Sequence, residues 1–196
     1  MKDLLKFSSV VFEKCVGFIN DMPTQTLPEI VISGRSNVGK SSLLNAIFGK
    51  KLAKTSKQAG KTRTMNVYNA CGVRLIDLPG YGFALASPDE KKRWSKLVEE
   101  YFETRTPDLV LQLIDSRRLA SENDLQMIKF LCSQKIKFAV VCTKSDKLGT
   151  KEREINKNIL KQQIYKLNED SEHKILYTST NSGEGIKNLK SIISSI

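Results

Sequence analysis

The sequence predicts a three-layer α/β fold, with a mostly parallel sheet, one antiparallel hairpin strand, and helices on both faces. Two observations carry this. Apolar runs of strand length alternate with segments of helical period along the chain, the pattern left by parallel strands joined through crossover helices. A glycine-rich segment, Gly34 to Ser41, stands between one such strand and one such helix. A chain of 196 residues is expected to form one domain with a proper core. Residues 1–28 read as an N-terminal extension belonging to that domain, and 29–196 as its main body.

The elements follow in order. Val10-Val11-Phe12 reads as an edge strand and Met22 to Pro28 as a loop. Ile30-Val31-Ile32 is a buried strand, and Ser42 to Phe48 is a helix. Met65–Ala70 and Val73–Ile76, with Gly72 between them, read as a hairpin. A helix starts at Pro88 with Ser87 as its cap, and Trp94, Leu97, Val98, Tyr101 and Phe102 keep helical spacing. The strand 109–114 follows, then a helix from Asp124 to Cys132 with Leu125, Ile128 and Leu131 on one face. After these come the strand 138–142, a helix whose inner face is expected to carry Ile155, Ile159, Ile164 and Leu167, the strand Ile175-Leu176-Tyr177, and a last helix with Ile186, Leu189, Ile192 and Ile193.

The segment Gly34-Arg35-Ser36-Asn37-Val38-Gly39-Lys40-Ser41 fits G-x-x-x-x-G-K-[ST], the P-loop pattern, and Ser42 continues it into the helix. Glycines permit the tight turn that points backbone N–H groups at phosphates. Lys40 brings charge to the β/γ-phosphates, and Ser41 offers a hydroxyl to Mg²⁺. The helix N-terminus adds its dipole to the same anion site. The predicted architecture is then the P-loop NTPase fold. Asp77-Leu78-Pro79-Gly80 follows a strand, where a carboxylate can hold Mg²⁺ through water and the Gly80 N–H can reach a γ-phosphate. Thr143-Lys144-Ser145-Asp146 follows the strand ending at Cys142. An aspartate there can accept from guanine N1–H and its N2 amino group, whereas adenine would leave the carboxylate unpaired. The Lys144 stem can lie along the base plane. Backbone N–H groups in Tyr177-Thr178-Ser179-Thr180 can meet the guanine O6. A loop threonine closing over Mg²⁺ and the γ-phosphate is expected between the P-loop helix and the hairpin, with Thr55, Thr62 and Thr64 all placed for it.

Composition narrows the class. The net charge is +11, and Lys50, Lys51, Lys54, Lys57, Lys61 and Arg63 fall between Phe48 and Val67 with no acidic residue among them. This points to a polyanionic partner, RNA ahead of DNA or an acidic membrane. A monomer is expected. No apolar run approaches a membrane span and no secretory pattern opens the chain, so a cytoplasmic protein is expected. The four cysteines lack paired spacing and read as reduced, and the single histidine, His173, sits in a charged segment and reads as solvated.

Taken together, the motifs resemble the P-loop GTPases, and closely the bacterial EngB/YsxC/YihA family of ribosome-biogenesis GTP-binding proteins. The resemblance rests on Gly34 to Ser42, Asp77-Leu78-Pro79-Gly80-Tyr81-Gly82, Trp94, Tyr101, Arg105, Ile114-Asp115-Ser116-Arg117 and Thr143-Lys144-Ser145-Asp146-Lys147. It implies GTP or GDP with Mg²⁺ as ligands, a place in assembly of the large ribosomal subunit with its precursor and rRNA as partners, and a link to cell division and septation. It also selects Thr62, within Gly60-Lys61-Thr62, as the loop threonine at the metal. This chain has Ala59-Gly60-Lys61-Thr62-Arg63 where the family has Pro-Gly-Arg-Thr-Gln. The expected catalytic set is Lys40, Thr62 and Gly80.

Ras-type enzymes place a water-orienting glutamine directly after the D-x-x-G glycine. Tyr81 stands there in this chain, so slow intrinsic hydrolysis with activation on the ribosomal particle is expected. Asn37 has two readings, a K⁺ ligand or a residue suited to a tight turn. Arg117 and Arg118 can serve as charge-stabilising fingers, RNA contacts or structural partners. A signalling-type GTPase with protein partners is the competing class. It accounts for the nucleotide motifs but leaves the charge unexplained.

Overall fold

The strand that leads into the glycine-rich loop, β2 (Glu29–Gly34), is buried along its whole length. It lies inside a seven-stranded sheet of order β1-β3-β4-β2-β5-β6-β7. The computed structural model describes residues 7–53, 64–70, 72–82, 87–167 and 174–196. The other strands are β1 (Val11–Val16), β3 (Met65–Asn69), β4 (Arg74–Asp77), β5 (Leu109–Asp115), β6 (Phe138–Thr143) and β7 (Lys174–Tyr177). β2 pairs in parallel with β4 and β5, and β5–β6 and β6–β7 are parallel too. β3 alone runs against its neighbours β4 and β1. This is the three-layer α/β architecture expected, with β3 as the hairpin strand.

Alternation along the central strands sorts their side chains onto two faces. Ile30, Ile32, Leu109, Leu111 and Leu113 pack with Leu43, Leu44, Ile47 and Phe48 of α1 (Lys40–Phe48) and with Leu189 and Ile193 of α5 (Ile186–Ser194). Val31, Val110, Ile114 and Val140 face the other way. They pack with Leu97 and Tyr101 of α2 (Pro88–Thr104), Ile128 and Leu131 of α3 (Glu122–Ser133), and Leu160 and Ile164 of α4 (Thr150–Tyr165). Ser87 caps α2 in a full capping box with Glu90, and Ser121 does the same for α3 with Asp124.

One helix face differs from the sequence expectation. Ile155 is exposed on α4, and Leu160 and Ile164 are the residues that reach the core. At 100° per residue Ile155 lies about 140° round the helix from Leu160 and half a turn from Ile164. The stripe is therefore set by Leu160 and Ile164, with Ile155 on the solvent side.

The end of the sheet where β2 begins is held by charge. Glu29 is fully buried, accepts from the Tyr101 hydroxyl at 2.9 Å, and is paired with Arg105, whose guanidinium also donates to the Pro23 carbonyl. Arg74 forks onto Glu13, with both contacts at 3.0 Å. These bonds pin the loop before β2 and the C-terminal end of α2, so β2 reaches the opposite rim in a fixed position.

Candidate functional site

The C-terminal ends of β2, β4, β5, β6 and β7 meet at that opposite rim. Open parallel sheets place ligands outside these strand ends. At Gly34 the backbone has φ +154°, and a Cβ there would lie 2.9 Å from the Leu113 carbonyl oxygen. Only glycine lets the loop leave β2 against β5. The loop then turns through Asn37 (φ +62°) and Gly39 (φ +112°) before α1 starts at Lys40. Arg35 is exposed, Ser36 is half-buried, and Val38 packs into the core. Ser41 and Ser42 lie in the first turn of α1, half-buried and exposed respectively.

Asp77 ends β4, is buried, and its Oδ1 has no hydrogen-bond partner. Burial pushes its pKa up to about 6, against the pull of Lys40. Desolvation in turn lowers the Lys40 ammonium, with Asp77 partly restoring it. A buried carboxylate with an oxygen lacking a partner, at the strand end next to the P-loop lysine, suits a hard divalent cation, which would supply the missing partner. Leu78 donates its N–H to the Ile32 carbonyl at 3.0 Å, and the Pro79 carbonyl accepts from the Trp94 indole at 3.3 Å. Gly80 lies directly against the P-loop. A Cβ there would be 2.8 Å from Lys40 Nζ and 2.8 Å from the Ser36 nitrogen.

Tyr81 points away from the loop. Its carbonyl accepts the Ser36 N–H at 2.8 Å, while its hydroxyl donates to Asp124 Oδ1 at 2.5 Å and accepts from Gln112. The ring is buried, and burial and the Asp124 charge raise the phenol far above its ordinary range. The residue in the glutamine position is thus tied beneath the sheet rim by α3 and β5.

At the other half of the rim, the Thr143 hydroxyl donates to the Val38 carbonyl at 2.6 Å. Lys144, in the left-handed region at φ +59°, donates to the Asn37 carbonyl at 2.8 Å and to Asp115 at 2.8 Å. Asp146 accepts from the Ser179 hydroxyl at 2.7 Å and the Asn181 amide at 3.0 Å. The Ser179 bond is the main reason its carboxyl lies below the usual range, with burial opposing and Asn181 and Lys147 assisting. The Ser145 hydroxyl donates to Glu184 at 2.6 Å, and Glu184 is also paired with Arg153. Arg153 in turn lies 4.3 Å over the Tyr177 ring.

The structure therefore brings together the P-loop, Asp77 to Gly80, and the 143–146 and 177–179 segments. Within the last of these the Thr178 and Ser179 N–H groups are already engaged, with the Cys142 and Glu184 carbonyls. Tyr177 is turned toward Arg153, and the Ser179 side chain contributes through Asp146. Gly60, Lys61 and Thr62 lie outside the described residues, as does Thr55. Thr64 sits at the start of β3, where its hydroxyl accepts from Cys15 Sγ at 2.9 Å. Asn181, Glu184 and Asp124 were not legible as site-supporting residues. Asp115, at a strand end like Asp77, was legible only through the family pattern.

A glycine-turned loop that opens a helix, a buried carboxylate at the end of β4, and the 143–146 segment tied to the loop through Lys144 define a P-loop GTPase. The family model described as 50S ribosome-binding GTPase matches residues 29–144. A probable GTP-binding protein EngB of Thermotoga petrophila is 41% identical over 178 residues, covering 90% of each chain. Its counterpart in Syntrophomonas wolfei is 40% identical over 195 residues, covering 98% of each. The chain belongs to the EngB family of GTP-binding proteins. Among solved structures, a probable GTP-binding protein EngB superposes with a TM-score of 0.69 at 22% identity, over 85% of this chain and 97% of that one. Era of Aquifex aeolicus, solved with GDP and aluminium fluoride, gives 0.67 at 26% identity over 86% of this chain and 56% of its own. The protein is a GTPase. Its ligands are GTP and GDP, and its class works with Mg²⁺.

Proposed function

We propose that this GTPase acts on the assembling large ribosomal subunit, docks there through its lysine-rich segment 50–63 with rRNA, and supports cell division through that role. The family model's description, the net charge of +11 and the run of cations without an acid support this reading. Among the described residues no helix is long and apolar enough to cross a membrane.

In this reading the nucleotide's phosphates lie on the amides of Ser36 to Ser42, with Lys40 against the β/γ-phosphates. Ser41 and Thr62 would hold Mg²⁺, and Asp77 would hold it through water. The metal supplies neutralisation of charge on the transferring phosphoryl group. Gly80 withdraws from Lys40 to admit a γ-phosphate and then offers its N–H to it. Asp146 reads guanine N1–H and the N2 amino group, with the Lys144 stem along the base. The carrying observation for the base site is the Ser179–Asp146 pair beside the Lys144 bridge to Asn37.

Hydrolysis by the isolated protein is slow because the residue after Gly80 is an anchored tyrosine and no side chain there orients water. A turnover near about one per second for the free protein would overturn this. Docking is tested by co-sedimentation with large-subunit precursors. Retention in a GTP analogue and release in GDP, both weakening steeply with salt, is the expected result. Equal retention in the two states would refute a nucleotide-controlled partner.

A further inference from the structure

Lys144 donates to both the P-loop backbone and the carboxylate that ends β5, and the second of these contacts gives Asp115 a function. Asp115 is the last residue of β5, beside Thr143 of β6 in the sheet register. One oxygen, Oδ2, accepts from Lys144 Nζ at 2.8 Å and from the Arg117 guanidinium at 2.6 Å. The other, Oδ1, accepts from Arg117 Nε at 2.9 Å and from the Arg117 N–H at 3.2 Å. Burial works against the carboxylate's charge, yet the bonds from Arg117 and Lys144 hold its pKa well below the usual range. The fork from Arg117 fixes the plane of the carboxylate, and the fixed carboxylate aims the ammonium of Lys144 at the Asn37 carbonyl. Arg117 is thereby committed to Asp115 and is no free finger for the phosphates.

A lysine stem has four rotatable bonds, and holding it in one place costs rotamer entropy each time a ligand binds. A ligand that meets it already held avoids that cost. We propose that Asp115 is a positioning residue for nucleotide binding. Locked by Arg117, it holds Lys144 across the gap between the guanine loop and the P-loop, so that the base and phosphate halves of the site are joined before the nucleotide arrives. The proposal rests on the reading of Lys144 and Asp146 as the guanine site.

A double-mutant cycle in the full-length protein tests it, with GDP and a non-hydrolysable GTP analogue as probes in equilibrium titration. Asp115→Ala is expected to weaken both nucleotides by roughly tenfold, and Asp115→Asn, which keeps an acceptor for the ammonium, by roughly threefold. Once Lys144→Ala is present, adding Asp115→Ala is expected to cost less than about twofold more, because its effect runs through the lysine. Thermal unfolding of the nucleotide-free variants separates this from plain loss of fold. Asp115→Asn is isosteric and keeps the cycle readable if the alanine variant is unstable. Full additivity of Asp115→Ala with Lys144→Ala, or equal loss in the Asn and Ala variants, overturns the proposal while leaving the guanine site in place. No loss from Lys144→Ala itself would overturn both.

Discussion

The two aspartates of the site, Asp77 at the end of β4 and Asp146 in the turn after β6, lie on the same rim of the sheet in opposite electrostatic conditions. Asp146 is exposed, supplied with hydrogen bonds from Ser179 and Asn181, and held below the ordinary carboxylate range. Asp77 is buried, leaves one oxygen without a partner, and is pushed up to about 6. The base half of the site is finished without ligand, whereas the phosphate half keeps a carboxylate that Lys40 only partly satisfies. A regulatory GTPase benefits from that division. In the proposed reading, guanine recognition would be independent of the phosphate count, and the unsatisfied half would respond to whether a third phosphate and its metal are present.

The largest expected effect breaks the finished half. Asp146→Asn replaces an acceptor with an amide that can turn a donor toward guanine's own donors, and it removes the charge. GTP and GDP affinity should fall on the order of a hundredfold or more, with a relative gain for the xanthine nucleotide, whose 2-oxo group can accept from the new amide. Competition titration with the two bases measures this. Retention of near-normal guanine affinity would mean that Asp146 is not the base reader, and the comparison would lose one of its two members.

The second prediction breaks the unsatisfied half, and its sign is opposite for stability and activity. Asp77→Asn should reduce Mg²⁺-dependent hydrolysis by roughly ten- to a hundredfold, as expected for a group that holds a metal through water. The same change should stabilise the nucleotide- and metal-free protein by on the order of 1–3 kcal/mol, because it removes a buried charge whose desolvation Lys40 only partly offsets. The pH dependence follows from the raised pKa. Between 3.8 and about 6 the native protein holds a proton that the unfolded chain releases. The cost of the buried carboxylate is therefore full above about pH 6 and gone below the unfolded value. Going from pH 7 to 5, the ligand-free wild type should gain about 1 kcal/mol relative to Asp77→Asn, read from denaturant unfolding of both. A wild-type protein that shows no such gain has a satisfied carboxylate there.

The same contrast explains which parts of the molecule were legible in the sequence. Asp77 ends a strand, Lys40 and Asp146 follow strands at short fixed spacings, and a strand end followed by a fixed spacing is a local pattern. The mostly parallel sheet and the hairpin were legible because β2, β5 and β6 are continuous apolar runs and Gly72 divides β3 from β4, whereas the strand order came only from the structure. The groups that brace the two halves from a distance were not legible. Asn181 reaches Asp146 across 35 residues, and Asp124 reaches Tyr81 across 43. No spacing rule encodes such pairs, because the fold alone brings them together. Ile155 misled for a related reason: an apolar residue on an amphipathic helix gives its period, while the phase is set by what the helix packs on. Tyr81 was legible as a departure from the glutamine position, but its anchoring by Asp124 and Gln112 needed the structure.

The smallest effect concerns Asn37, which lies on the boundary between the two halves because its carbonyl accepts from Lys144. Its φ of +62° is a conformation that asparagine tolerates and alanine does not. If the residue is there for the turn, Asn37→Gly should leave stability within about 0.5 kcal/mol, and Asn37→Ala should cost about 1 kcal/mol. Hydrolysis should then proceed equally in K⁺ and Na⁺ for the wild type and for the glycine variant. If the side chain instead holds K⁺, the wild type will be faster in K⁺, and the glycine variant will lose that difference while keeping its stability. The K⁺ outcome would sharpen the comparison by extending the unsatisfied half to a second cation, held at the edge of the same loop. The turn outcome would assign Asn37 to the finished half, as the residue whose backbone geometry presents a carbonyl to Lys144.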